Sequence, residues 1–319
     1  MCPLLRKRKR LGPLEMPVAH HHKVSIDAAA LRGWPLPMPS SAGDKETRGH
    51  VLVLGGSREM PGAVILAATA ALRAGAGKLT IATGASVAQL VALAIPEARV
   101  IGLRETAEGG FAHEAVAELD PLADRVSAIL IGPGMQDETG TAELVRALLP
   151  RLNGTSVVLD ACAMGIILNP DLDDDAPPFR FEQPVVLTPH AGEMAHLTGN
   201  SKEEIAANPD AMASGAAQTW HAVVALKGAR TVVSAPNGDM WQHEGGNVGL
   251  AISGSGDVLA GIIAGLAARG ATLEQATCWG VALHALAGER LAARIGPLGY
   301  LARELPDEIP SLLEQASQG

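Results

Sequence analysis

Aromatic side chains are scarce in this chain, with 3 Phe, 4 Trp and 1 Tyr among 319 residues. Hydrophobic residues still make up 47%, so the core must be assembled from Ala, Val, Leu and Ile, with 36 glycines available for turns and close backbone approaches. Cysteine is nearly absent. Cys2, Cys162 and Cys278 are widely separated and form no CxxC pair, so neither a zinc site nor a disulfide framework is expected, and a reduced cytosol fits best. Long apolar runs are missing too. No segment approaches the ~20 charge-free apolar residues of a membrane span, and no uninterrupted apolar stretch follows the early basic residues as a signal peptide would require. The nearest segment, Gly249 to Ala268, contains an Asp and several glycines and reads as a buried helix. Positive charge is outweighed, 25 Lys and Arg against 34 Asp and Glu, and the net charge of -9 repels a phosphate backbone. Neither nucleic acid nor membrane is an expected partner.

The one basic cluster, "RKRKR" at Arg6 to Arg10, is open to reading as an address signal or an RNA contact, and is expected to be part of a solvated, disordered tail. "HHH" at His20 to His22 has no acid nearby and falls in the same Pro-rich segment, as does "WPLPMPSS". The expectation is a flexible tail over residues 1–44 and a single globular domain over 45–319. Within that domain short apolar runs alternate with Ala-rich helical patterns: "HVLVL", "KLTIAT", "ARVIGL", "AILI", "SVVL", "PVVL" and "AVVAL" read as strands, with helices between them. "VVSAPNGDMWQ" reads as a hairpin arm. Strands separated by helices imply βαβ units, hence an α/β fold with a mostly parallel central sheet and helices on both faces.

Ligands bind such sheets outside the carboxyl ends of the strands. The strand-to-helix loops there are "GGSREMPGA", "IGPGMQDETG", "LDACAM", "TPHAGE", "KGART" and "SGSGD", rich in Gly, Pro, Thr, His and Asp. A Walker loop is absent, because "RAGAGKLT" puts Leu at the hydroxyl position and lacks the upstream Gly, and no GxGxxG follows the first strand. "SGSGD" is the better phosphate site. Gly254, Ser255 and Gly256 can gather backbone N–H groups at the start of a helix whose dipole favours an anion. Asp257, in that helix's first turn, has two roles open to it: a helix cap, or a base that deprotonates a hydroxyl as it attacks a phosphoryl group. Lys227 could meet a phosphate or ribose, and His190 could orient a substrate. Asp160 could hold magnesium-bound water or substrate, or simply shape a turn. No set of metal ligands emerges.

In this order the loops resemble those of the ADP- or ATP-dependent NAD(P)H-hydrate dehydratases of the ribokinase-like superfamily. The resemblance rests on "GHVLVLGGSREMPGAVILAATAALRAGAGKLTIAT", "LIGPGMQ", "VVLDACAM", "VVLTPHAGEMAHLTG", "ALKGARTVV" and "GNVGLAISGSGDVLAGIIAGLAARG", spanning about Gly49 to Gly270. The chain departs from the family pattern at three points: Ser255 stands where Thr is usual, Met135-Gln136 replace Leu-Gly, and Cys162 replaces a second Asp. The resemblance implies a ribokinase-like three-layer sandwich. It implies that Ala63, Gly134 and His190 contact NAD(P)H hydrate, that Lys227, Gly228, Ala229, Arg230, Thr231 and Gly256 contact the adenine nucleotide, and that Asp257 touches substrate at the reacting centre. It also implies ADP or ATP as co-substrate with Mg2+, a stand-alone cytoplasmic dehydratase without the fused epimerase, and a homotetramer. Two other readings share the same loops: a small-molecule kinase acting on a vitamin alcohol, and a nucleotide-binding regulator in which Asp257 only caps its helix.

Overall fold

The computed structural model describes residues 23–38, 47–168 and 178–318. Its elements begin with β1 (Lys23–Ser25), α1 (Ala28–Gly33), β2 (His50–Leu54), α2 (Pro61–Arg73), β3 (Lys78–Gly84), α3 (Ala88–Ala94), β4 (Arg99–Leu103) and α4 (Ala115–Ala123). The middle of the chain supplies β5 (Ala128–Ile131), α5 (Glu138–Leu148), β6 (Ser156–Leu159), β7 (Val185–Leu187), α6 (Ala191–Thr198), α7 (Lys202–Ala207) and α8 (Pro209–Trp220). It closes with β8 (Ala222–Leu226), β9 (Arg230–Ser234), β10 (Met240–Glu244), α9 (Ser255–Ala268), α10 (Leu273–Ile295) and α11 (Leu305–Gln318).

The strands join one sheet in the order β1-β10-β9-β8-β7-β6-β5-β2-β3-β4. All neighbours from β4 to β8 run parallel, and β9 is antiparallel to both β8 and β10. Period-two alternation gives each strand two apolar faces. Val51 and Val53 of β2 and Leu130 of β5 enter the core beneath α2, α9 and α10, while Leu52, Leu54, Ile129 and Ile131 enter the core beneath α4, α5 and α8. A sheet buried on both faces is the three-layer arrangement that the alternating pattern predicts.

Small residues let two of these helices touch backbone to backbone. A Cβ added at Gly261 of α9 would lie 2.1 Å from the carbonyl oxygen of Ala67 in α2, and one at Gly265 would lie 2.5 Å from that of Ala71. We expect Gly261→Val to force the pair apart at a cost of about 1–3 kcal/mol, seen as a lower midpoint in thermal unfolding.

The N-terminal expectation needs correction, because residues 23–37 are built into the fold and are not tail. β1 extends the sheet beside β10, pairing Lys23 with Met240 and Ser25 with Gln242. Trp34 stacks on Trp241 with ring centroids 5.8 Å apart. The carbonyl groups of the Pro-rich segment, which have no strand to pair with, are met by side chains instead. Trp279 Nε1 donates to Trp34 O at 2.9 Å, Gln275 Nε2 to Pro35 O at 2.9 Å, and Arg269 to Pro37 O at 3.1 Å. Prolines there do make the backbone irregular, but irregular backbone stays ordered when its polar groups are satisfied. The Arg6–Arg10 and His20–His22 clusters and the Lys45 boundary lie outside the described residues.

Candidate active site

Strand order reverses between β2 and β5, since β3 and β4 lie on one side and β6 to β8 on the other. Open α/β sheets bind ligands at such a switch point, and here two Gly-containing loops interlock. Gly56 N donates to Pro133 O at 2.6 Å. Gly134, with φ of 71°, leaves no room for a side chain, because a Cβ there would come within 2.9 Å of the Ala63 Cβ in the first turn of α2. Ala63 and Gly134 are thus neighbours at the switch point.

At the carboxyl ends of the next strands, β7 and β8 continue into an isolated bridge between His190 and Lys227, and Lys227 N donates to Pro189 O at 2.8 Å. His190 caps α6. Its Nδ1 accepts from the N–H groups of Gly192 at 2.9 Å and Glu193 at 3.1 Å, while Glu193 Oε2 accepts from His190 N at 2.8 Å. This reciprocal capping box requires an unprotonated Nδ1, so in the neutral ring the proton sits on Nε2, which lies 3.7 Å from Glu193 Oε2. The cap holds the ring of His190 in place. Beside it opens a hollow of about 300 Å³ lined by Ala161, Met164, Gly165, His190, Glu193 and Lys202, among others.

Lys227 lies 3.5 Å from Asp160 Oδ1 and 3.7 Å from Glu193 Oε2. Asp160, only 2% exposed, also accepts from Thr188 Oγ1 at 2.5 Å. Burial alone would push the lysine down; the charges of Asp160, Glu193 and Asp257 outweigh it and raise Lys227 above its ordinary value. The ammonium is therefore charged, and it faces the first turn of α9, where a Cβ on Gly256 would lie 3.3 Å from Nζ.

That turn bears on the two roles left open for Asp257. The cap position belongs to Gly254, whose φ of 88° is left-handed and which offers no capping side chain. A Cβ there would meet Leu66 at 2.4 Å. Val258 N donates to Gly254 O, and Ser255 N to Ile252 O, which leaves the N–H groups of Gly256 and Asp257 without a helical acceptor, the usual condition of a helix start. Asp257 sits deeper in the turn, and its carboxylate makes no hydrogen bond among the described residues. Burial first, then the negative charge of Asp160, raise it to about 7, with Lys227 opposing. A carboxylate not used for capping, beside open N–H groups and a lysine, is equipped to take a proton next to a bound phosphate.

A profile of NAD(P)H-hydrate dehydratases matches residues 51–311. The chain belongs to that family. It is 49% identical, over 92% of its length and 98% of the relative's, to the ADP-dependent (S)-NAD(P)H-hydrate dehydratase of Xanthomonas campestris pv. campestris. A bifunctional NAD(P)H-hydrate repair enzyme of Moorella thermoacetica is 39% identical over 96% of this chain, which spans 57% of that longer protein. Among solved structures, the ADP/ATP-dependent NAD(P)H-hydrate dehydratase of Bacillus subtilis co-crystallized with ATP/Mg2+ superposes with a TM-score of 0.78 at 30% identity, covering 92% of this chain and 99% of that one. A ribokinase-like superfamily protein of Enterococcus faecalis gives 0.77 at 26% identity, covering 93% and 97%. The fold is ribokinase-like.

In this dehydratase-family chain Ala63 and Gly134 come together, as do His190, Lys227, Gly256 and Asp257. Gly228 and Ala229 form the tight connection from β8 to β9. Arg230 and Thr231 begin β9, opposite Glu244 and His243. The Arg230 side chain pairs with Asp210 at 3.3 Å. Ser255 is also less available than its loop suggests, because its hydroxyl lies 2.9 Å from His284 Nε2. Cys162, in place of the family's second acid, is pushed up to about 11, first by burial, and remains a thiol. Sequence reasoning assigned no role to Glu193 or His284. Glu193 is signalled by its position three residues after a capping His190, whereas nothing in the sequence marks His284 apart from a core histidine.

Proposed function

We propose that this chain restores NAD(P)H from the S form of its hydrate at the expense of ADP or ATP. The observation that carries this reading is Asp257, held near neutral pKa, uncapped and adjacent to Lys227 at the open start of α9. The hydrate's hydroxyl would leave as hydroxide, a poor leaving group near neutral pH. Asp257 accepts the hydroxyl proton as the oxygen attacks the terminal phosphorus of the nucleotide, and the N–H groups of Gly256 and Asp257 with Lys227 stabilise charge on the transferring group. Breaking the phosphoanhydride releases AMP or ADP. The phosphorylated hydroxyl then departs as phosphate, expelled by the ring nitrogen's electron pair to leave an iminium, and loss of a proton from the adjacent ring carbon restores the double bond of NAD(P)H.

Ala63, Gly134 and the Nε2–H of His190 support a place for the hydrate, while the segment from Lys227 to Thr231 and Gly256 supports one for the adenine nucleotide. Magnesium fits as an ion carried in with the nucleotide. Asp160 and Glu193 supply hard oxygen donors beside Lys227. When bound it neutralises charge on the phosphate oxygens. No helix among the described residues is long and apolar enough to cross a membrane. A cytoplasmic homotetramer built from one domain per chain is the assembly we expect from the family.

Incubation with NADH hydrate and ADP or ATP in turn, following NADH absorbance and free phosphate together, tests the reading. Equal yields of both support it; a stable phosphorylated product would reassign the chain to the small-molecule kinases.

A further inference from the structure

α9 starts without the usual side-chain cap, for a reason visible at the site. A capping side chain would occupy the N–H groups that an anion needs, and Gly254 has no space for one. A helix start left open in this way loses the bond that normally fixes its first turn. The first turn is anchored from behind instead. Ser255, 4% exposed, has its hydroxyl 2.9 Å from Nε2 of His284 on α10. α10 packs closely on α9, where a Cβ on Gly280 would lie 2.6 Å from Ile263 Cγ1. We infer that His284 is a positioning residue for the proposed reaction: its hydrogen bond to Ser255 replaces the missing cap and holds the Gly256–Asp257 turn aimed at the phosphate.

The imidazole suits this task. Burial, reinforced by the Lys227 charge and partly offset by a backbone hydrogen bond with Ser255, takes it down to about 4, so it is neutral across the working range. A neutral ring adds no charge to compete with Lys227 for the anion, yet keeps a partner for the hydroxyl.

The inference rests on the dehydratase reading for its kinetic arm, so nucleotide binding is measured separately. His284→Leu keeps apolar volume and removes the hydrogen bond; His284→Gln keeps an amide near the Nε2 position. For the Leu variant we expect ADP affinity by calorimetry to fall about tenfold, the scale of one buried polar group left unpaired, with kcat falling at least as much. The Gln variant should recover both to within about threefold. Ser255→Ala combined with His284→Leu should lose no more than the larger single loss, because the two groups form one interaction. The assignment is overturned if the Leu variant, folded with a near-wild-type Tm, keeps affinity and kcat within twofold, or if the double-variant losses simply multiply. Loss of activity in every protein including wild type, with the affinity pattern intact, would fault the reaction and leave the positioning role standing.

Discussion

Asp257→Asn is expected to cut turnover by about a hundred- to ten-thousandfold, the range of lost acid-base catalysis, while ADP still binds. Wild-type kcat/KM should rise with pH through about 7, because the base works only when ionised and its ionisation sits there. Asp160→Asn removes one of the charges that raises Asp257, so that limb should move to lower pH. An unmoved limb would mean that another group controls it. The same group has a stability consequence of opposite sense. Its folded-state pKa lies above the unfolded value of 3.8, so the native protein loses stability as pH rises from about 4 to about 7. Asp257→Asn escapes that loss. The variant should match wild type near pH 4 and gain in Tm relative to it up to neutrality, by roughly 1–2 °C for each kcal/mol.

The second large effect belongs to Lys227. Lys227→Ala should weaken nucleotide binding strongly and also lower stability by about 3–5 kcal/mol, the usual cost of removing one partner from a buried ion pair. The stability cost arises because Asp160 is buried and relies on Thr188 and Lys227, while Glu193 and Asp257 add like charge nearby. Without the ammonium, Asp257 should also titrate higher, moving the kcat/KM limb opposite to that of Asp160→Asn. Calorimetry, urea unfolding and a pH profile of the residual activity read the three effects. Unchanged ADP affinity would remove Lys227 from the nucleotide site.

The sheet and the rim of loops were legible because they depend on local signals: β-branched runs, alternating faces and glycines at strand ends. β1 and α1 were missed because what orders them is remote. The carbonyls of Trp34, Pro35 and Pro37 are paired by Gln275, Trp279 and Arg269, more than two hundred residues away in the chain. α7 carried a readable sign, since Ser201 and Glu204 form a capping box, whereas no local sign marks His284. The choice between cap and base at Asp257 turned on which residue begins α9, a boundary that sequence locates only to within a residue or two. Ala63 was visible only through the family resemblance, because nothing local marks an Ala in a helix's first turn, whereas His190 and the loop of Gly134 already stood out at strand ends.

The contact between α2 and α9 has a consequence for rate. α2 begins beside Ala63, where the hydrate is proposed to lie, and α9 begins at the turn that carries Asp257. Because Gly261 and Gly265 rest on the carbonyls of Ala67 and Ala71, the two helices pack backbone to backbone, and in the proposed reaction that contact would preset the separation of base from reacting hydroxyl before either substrate arrives. Alignment entropy would then be removed during folding and not at each turnover. A single methyl group at Gly261, remote from the cleft, should therefore register in kcat as well as in Tm.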